Sequence, residues 1–351
     1  MTTILDWSRP HGKLKPFGYT AITVYLALLI CVGIVVQYAT VKILLSPHFR
    51  MKKLTPYLLN IVLANSIVIL GSFPTTFAAA VNNGWPFSEF VCRLNGLLTA
   101  VGCIAMLLTM TCITWKIYVT ASTTNVNNFI APSAFRRYHI HVIIAIWLFS
   151  ACVVLPPTVG WSNMRLESAS LNCVPDWAPE TLNDVIYILL MTVLGYFLPV
   201  ILSVVLLFRT RTVLRNHTKV LKCLIIPNIR LKALLHVYRM QFLSVICFTL
   251  TWLPYVVYVF VSLAYGSMYI FGPALTTLPA LVAKSSVVLN PVIYAIVIPR
   301  FRESFVRFFW CPSRSNVLPV TAIQMNAFVV NKEVANKKTY QIPAVNQPYL
   351  D

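Results

Sequence analysis

The chain has 351 residues, 58% of them hydrophobic and 11% charged, with a formal net charge of +19 and a mean hydropathy of +0.75. Soluble domains average about 25% charged residues, so the composition excludes an ordinary soluble enzyme or scaffold and indicates a membrane protein. The charge invites a nucleic-acid reading, but the basic residues sit in loops between apolar runs, where they read as topology signals rather than a phosphate-binding patch.

Residues 1–16 are polar and lead straight into a long apolar segment, so no cleavable signal peptide is expected. Seven mostly apolar runs follow, near 17–45, 54–82, 89–119, 138–159, 183–209, 233–264 and 270–298. Each has about the 20 residues needed to cross the hydrocarbon core of a bilayer. The pattern predicts an all-α membrane protein, with an extracellular N-terminus at 1–16 and a seven-helix transmembrane bundle at 17–299. Residues 300–311 read as a short amphipathic eighth helix at the membrane surface, because Arg300, Arg302 and Arg307 alternate with Phe301, Phe305, Phe308 and Phe309. Cys311 is a candidate for palmitoylation, and 312–351 are expected to form a disordered cytoplasmic tail.

With the N-terminus outside, five basic residues are extracellular (Arg9, Lys13, Lys15, Arg93 and Arg165) and 22 are cytoplasmic, with Lys284 apart. That asymmetry predicts a multi-pass plasma-membrane protein with its C-terminus in the cytoplasm. The third cytoplasmic loop, about Arg209 to Arg239, is the most basic segment and contains no acid. It reads both as a topology signal and as a docking surface for a cytosolic partner. The sequon Asn216-His217-Thr218 falls in this loop, where it would go unused.

The seventh run contains Thr276 to Tyr294, TTLPALVAKSSVVLNPVIY, with Lys284 well inside it. A lysine at the centre of a span costs about 2.5–3.5 kcal/mol and marks a functional site by default. Such an amine either pairs with an anion or gives up its proton, and the neutral form is a nucleophile for an aldehyde, as in lysine Schiff bases. The bland alternative is a lysine facing a water-filled crevice or snorkelling to the surface. The acids are Asp6, Glu89, Glu167, Asp176, Glu180, Asp184, Glu303, Glu333 and Asp351, and none lies in the interior of an apolar run, Glu89 and Asp184 standing at the ends of theirs. Of nine cysteines, only Cys92 and Cys173 lie where an extracellular disulfide could form. That bond would pin the second extracellular loop over the bundle.

Six residues after Lys284 begins Asn290-Pro291-Val292-Ile293-Tyr294, the NPxxY pattern that ends the seventh helix of rhodopsin-like receptors. With a lysine at this offset the chain resembles the opsins, of invertebrate type. The likeness covers the first span to Cys311 and includes Trp147, Pro199 and the sixth-span run Phe248 to Tyr255. It implies retinal, 11-cis or all-trans, bound as a Schiff base to Lys284, with Trp252 against the ring and Tyr255 lining the pocket. It also implies the Cys92–Cys173 disulfide, a sixth helix that swings about Pro254, and switch residues at Asn290, Pro291 and Tyr294. In opsins a Gly-Trp-Ser leads into a loop that folds over retinal. Here Gly160-Trp161-Ser162 leads to Glu167, six residues before Cys173, the spacing of an opsin glutamate. The vertebrate counterion position is Asn95, so Glu167 is the candidate counterion, with Asp176 or a bound inorganic anion behind it. Without an anion the Schiff base would be neutral and absorb in the ultraviolet.

The chain departs from the receptor pattern at the switch. The Asp/Glu-Arg-Tyr of the third span is Lys116-Ile117-Tyr118, the second-span aspartate is Asn65, the first-span asparagine is Gln37, and the fifth-span tyrosine is Leu207. The resemblance therefore implies a light-sensing opsin, with a heterotrimeric G protein and arrestin as cytosolic partners and the lipid bilayer as solvent. The lost arginine leaves open a retinal photoisomerase with lapsed signalling, and behind both a receptor for a diffusible ligand. Few serines and threonines in the tail (Ser313, Ser315, Thr321 and Thr339) give arrestin shut-off little support. No metal-ligand cluster or hydrolytic triad suggests another enzyme.

Overall fold

The computed structural model describes residues 13–50, 52–123, 134–158, 160–167, 169–223, 229–267 and 272–310. The expectations for Cys311 and the 312–351 tail lie outside these residues, as do most of the N-terminal segment and positions 224–228 of the basic loop between the fifth and sixth spans. Among the described residues, six helical spans are long and apolar enough to cross a membrane, and Tyr138–Val154 adds a shorter apolar helix. The result is a multi-pass bundle of seven spans.

The first span is α1 (Pro16–Leu44) and the second is split into α2 (Thr55–Gly71) and α3 (Phe73–Val81). The third is α4 (Glu89–Ser122) and the fourth α5 (Ala134–Val154). The fifth joins α6 (Leu182–Thr192) to α7 (Leu198–Cys223) through a π-helical turn at Val193–Phe197. The sixth is α8 (Ile229–Tyr265), and the seventh is split into α9 (Gly272–Lys284) and α10 (Ser286–Val297). Helix α11 (Pro299–Trp310) follows. Between α5 and α6 lies a hairpin of β1 (Met164–Leu166) and β2 (Cys173–Pro175), antiparallel with Leu166 opposite Cys173.

The second, fifth and seventh runs read as continuous from hydropathy alone, and the structure interrupts all three, the second and fifth beside prolines. A proline donates no backbone hydrogen bond and crowds the carbonyl four residues back. Pro74 falls in the first turn of α3, where its missing N–H is tolerated, and Pro199 follows the π turn. In the seventh span the turn tightens at Ser285, whose N–H bonds Val282 O at 3.1 Å while its hydroxyl donates to the same carbonyl at 2.7 Å. Farther on, Pro291 leaves the carbonyl of Val287 without its helical donor. Gln37 Nε2 of α1 donates to that carbonyl at 2.7 Å. A buried amide on one helix thus repairs a proline gap in another. The fifth span also runs past its expected end at 209 to Cys223, through a basic segment that contains neither the glycine nor the proline that would most readily end a helix.

Helix α4 lies at the centre, packed against α2, α5, α7, α8 and both strands. Tyr57, Met106, Met110, Ile113, Phe248 and Tyr294 form the main core. Trp147 Nε1 donates to Asn60 Oδ1 at 2.8 Å and Asn60 Nδ2 to Thr109 Oγ1 at 2.8 Å, tying α5, α2 and α4 together. On the outside, Leu28, Leu70, Leu148, Ile201, Leu250 and Leu278 stand exposed, as lipid-facing side chains must. The chain divides into compact units at 1–306 and 307–351. Within the first, Phe301 of α11 is buried edge-on to Tyr294 at 5.9 Å; in the second, Phe308 meets Phe309 edge-on at 5.2 Å.

Replacing Gln37 by Met keeps the volume but leaves the Val287 carbonyl unpaired in the bundle, at an expected cost of about 1–3 kcal/mol. Thermal unfolding in lipid nanodiscs should show the loss; an unchanged melting temperature would mean the proline gap is satisfied in another way.

Candidate functional site

The acid of the site belongs to a loop that the sequence drives into the bundle. Ala169 and Leu171, on the turn of the β1–β2 hairpin, pack with Tyr19, Leu26, Ala79 and Ala80 of α1 and α3, and Tyr19 donates its hydroxyl to the Ala169 carbonyl at 3.2 Å. Beyond the turn, Cys173 is disulfide-bonded to Cys92 at the start of α4. The hairpin lies so close to α4 that a Cβ on Gly96 would stand 2.9 Å from the Cys173 carbonyl oxygen and 2.6 Å from Met164 Cε. Only a glycine permits that approach. The consequence is that Glu167, an acid in a loop, is 2% exposed.

Lys284 closes the last turn of α9, just before the tightened turn at Ser285, and is 8% exposed. Lys284, Glu167, Trp252 and Tyr255 line one cavity, together with Asn95, Thr99 and Cys103 of α4, Asn172 of the hairpin and Ser286 of α10. Between these side chains about 70 Å³ is free. The Lys284 ammonium lies 5.0 Å over the ring of Phe73 in α3, a cation–π contact, and makes no ion pair within the described residues. Trp252 Nε1 donates to Ser286 Oγ at 3.3 Å, fixing the indole across the gap between α8 and α10.

The Glu167 carboxylate is held by neutral donors. Tyr255 donates to Oε1 at 2.9 Å and Asn172 Nδ2 to Oε2 at 3.1 Å, while Asn172 Oδ1 accepts from Thr76 at 3.0 Å. Tyr255 in turn accepts from Trp177 Nε1 at 3.2 Å. Burial pushes the Glu167 carboxyl above the ordinary carboxylate range, against the opposing pull of these two hydrogen bonds and of the Lys284 charge. Asp176, the other loop acid, does not line the cavity; its Oδ2 lies 2.6 Å from Arg165 Nε as an ion pair, and its Oδ1 accepts from the Ala178 N–H. Asn95 turns its amide toward α2 and α3, donating to the Ser72 carbonyl at 3.0 Å and to Thr75 Oγ1 at 2.6 Å. A primary amine and a carboxylate thus share a space walled by aromatic and aliphatic side chains, which suits an apolar carbonyl compound held covalently on the amine.

Four residues of this shell, Phe73, Thr76, Asn172 and Trp177, carry no sequence signal of their own; only Asn172, beside Cys173 and five residues after Glu167, stood close to a motif. The switch positions lie elsewhere. Asn65 is buried with neither amide atom hydrogen-bonded, Asn290 Nδ2 is 3.6 Å from Met106 Sδ, and Tyr294 packs in the core. Pro254 and Pro291 lie inside α8 and α10. Tyr118 is half-buried beside Trp115, Ile117 and Leu207 are buried, and Lys116 lies 5.0 Å over the rings of both Tyr57 and Tyr138.

Residues 19–294 match the family described as 7 transmembrane receptor (rhodopsin family). Rhodopsin of Lethenteron camtschaticum is 27% identical over 302 residues, covering 85% of this chain and 82% of that protein. Rhodopsin of Alligator mississippiensis is 27% identical with 85% and 83% covered, and that of Gallus gallus has the same identity and coverage. The crystal structure of squid rhodopsin superposes with a TM-score of 0.78 over 97% of each chain at 20% identity, a likeness of fold.

A carboxyl whose folded pKa is raised binds its proton more tightly in the folded state, so its contribution to stability is favourable at low pH and is lost as pH rises. For ligand-free protein, the stability of wild type relative to Glu167→Gln should fall as pH rises from about 4.5 through the raised value. Melting curves of the two proteins across that window check it; a difference that does not vary with pH would show that burial leaves this carboxyl unshifted.

Proposed function

The chain belongs to the rhodopsin family of seven-transmembrane receptors, and on that premise we propose that it is a light-sensing opsin binding retinal as a Schiff base on Lys284. The observation that carries this reading is the pairing of a buried lysine with a buried loop carboxylate in one aromatic-walled cavity. The donor set fits such a group: an amine that can condense with an aldehyde as water leaves, and an anion to balance the cation so formed. An unpaired buried charge would cost several kcal/mol. The room fits less readily. Sites for drug-sized ligands run to roughly 300 Å³ and above, so a twenty-carbon chain needs lining side chains to turn aside from the 70 Å³ now free.

Bound retinal would supply the absorption of light and a change of shape. The protein supplies the rest. Glu167, oriented by Tyr255 and Asn172, acts as counterion. Trp252, two residues before Pro254, meets the chromophore at the hinge of α8, so displacement of its indole acts where that helix bends most easily. The Cys92–Cys173 bond marks the oxidising, extracellular side, and the basic ends of α7 and α8 face the cytoplasm, where a heterotrimeric G protein, and arrestin after it, would dock. One observation favours a second reading. The arginine position is Ile117, buried in the core, so the pocket could serve a retinal photoisomerase whose signalling has lapsed.

Dark absorbance after incubation with 11-cis retinal tests the site. Wild type should show a visible band that Lys284→Ala abolishes and that Glu167→Gln moves to the ultraviolet near neutral pH. A visible band indifferent to Glu167 would move the counterion elsewhere, and folded protein without any retinal-dependent band would overturn the opsin reading. Light-dependent nucleotide exchange on purified G proteins then separates signalling, with turnover above dark, from photoisomerase activity, with none.

A further inference from the structure

A second cavity, of about 270 Å³, lies at the other end of the bundle, between the cytoplasmic extensions of α7 and α8. Arg211, Arg215 and Lys219 line it from α7 with Leu214 and Thr218, and Leu235 and Tyr238 face them from α8. The three cations recur every four residues, so they form one stripe along the helix. Leu214 is buried beneath them, and the extension is braced by His217 Nε2, 3.1 Å from the Ala121 carbonyl at the end of α4. Arg211 and Tyr238 line the groove from opposite helices.

Among the described residues no ion pair neutralises these charges. No acid occurs in the sequence between Asp184 and Glu303, and among the described residues the ion pairs are Arg93–Glu89 and Arg165–Asp176. The groove begins where the apolar part of α7 ends at Phe208 and the arginines start, which sets it at headgroup depth. A phosphatidylserine headgroup would leave two of the three cations unmatched. Arginine forks suit phosphate oxygens, donating to them two at a time, and the cavity is near the lower size of small-ligand sites, about 300 Å³.

We propose that this groove binds the polyphosphorylated inositol headgroup of a lipid in the cytoplasmic leaflet, with Arg211, Arg215 and Lys219 on the phosphates and the Tyr238 hydroxyl beside them. The site joins α7 to α8, so the bound headgroup favours whichever spacing of those helices holds its phosphates. The proposal rests on the cytoplasmic placement given above, which protease access to a C-terminal tag in intact cells reports separately. It does not depend on retinal.

The test uses the full-length protein in phosphatidylcholine nanodiscs and fluorescent dioctanoyl phosphatidylinositol 4,5-bisphosphate, read by anisotropy. Binding should saturate. Arg211→Gln, Arg215→Gln and Lys219→Gln should each weaken it about fivefold, with melting temperatures unchanged, whereas Arg50→Gln with Lys52→Gln, cations outside the groove, should change it less than twofold. Equal losses from the control pair, or equal competition by phosphatidylserine at matched charge, would reduce the groove to general surface attraction and overturn the site. Competition by soluble inositol 1,4,5-trisphosphate as strong as by the lipid would overturn the lipid as its occupant.

Discussion

The structure is organised by one electrostatic constraint: a lysine amine sits inside a membrane bundle whose spans contain no acid within their apolar bodies. It is withdrawn from bulk water, and the ring beneath it, that of Phe73, offers only a quadrupole. Anionic charge has to come from outside the hydrocarbon, and a loop brings it. The disulfide holds one end of that loop, Gly96 lets it settle on α4, and Ala169 and Leu171 bury its turn among apolar side chains. Glu167 is carried inward by that packing. The desolvation it suffers is opposed by Tyr255, Asn172 and the lysine itself, so each residue of the shell offsets a cost imposed by another.

The same logic governs the backbone. In hydrocarbon an unpaired carbonyl has no water to turn to, so every proline that bends a span creates an acceptor to be filled. Gln37 fills the one left by Pro291. The interruptions have a consequence for placement: after the break at Ser72, Phe73 meets Lys284 and Thr76 meets Asn172, and the tight turn at Ser285 separates Lys284, which lines the cavity, from the α10 segment that packs on α1. A straight seventh helix would put its residues on one continuous screw.

Much of this was legible in the sequence because charge is so scarce in it. Lys284 stands out in an apolar run, the nine acids can all be placed, and the cysteines sort themselves by topology. The number of spans followed from hydropathy, and the order of elements matched. Hydropathy could not show the helix breaks, since an apolar run reads alike whether its turns are regular or tightened. Nor could it show the neutral shell. Asn172, Thr76 and Trp177 matter through their position in three dimensions, and residues of these types are common at bland positions. The small free volume around Lys284 is likewise a property of packing, invisible to any pattern of residues.

The end of the bundle away from the disulfide shows what stands where an ionic contact was expected. With isoleucine at the arginine position there is no guanidinium to tether, and the lysine before it lies between two tyrosine rings of α2 and α5. That contact ties α4 to α2 and α5. The link from α4 to α8 is made instead by Gln241, which is buried and donates to the Met110 carbonyl at 2.8 Å and to Thr114 Oγ1 at 3.1 Å. An amide does not titrate, so this closure has no protonation step by which an acid could release it. Its strength is that of two neutral hydrogen bonds, each worth about 0.5–1.5 kcal/mol net. A displacement of α8 away from α4 would therefore have these two modest, pH-independent hydrogen bonds to break at this end.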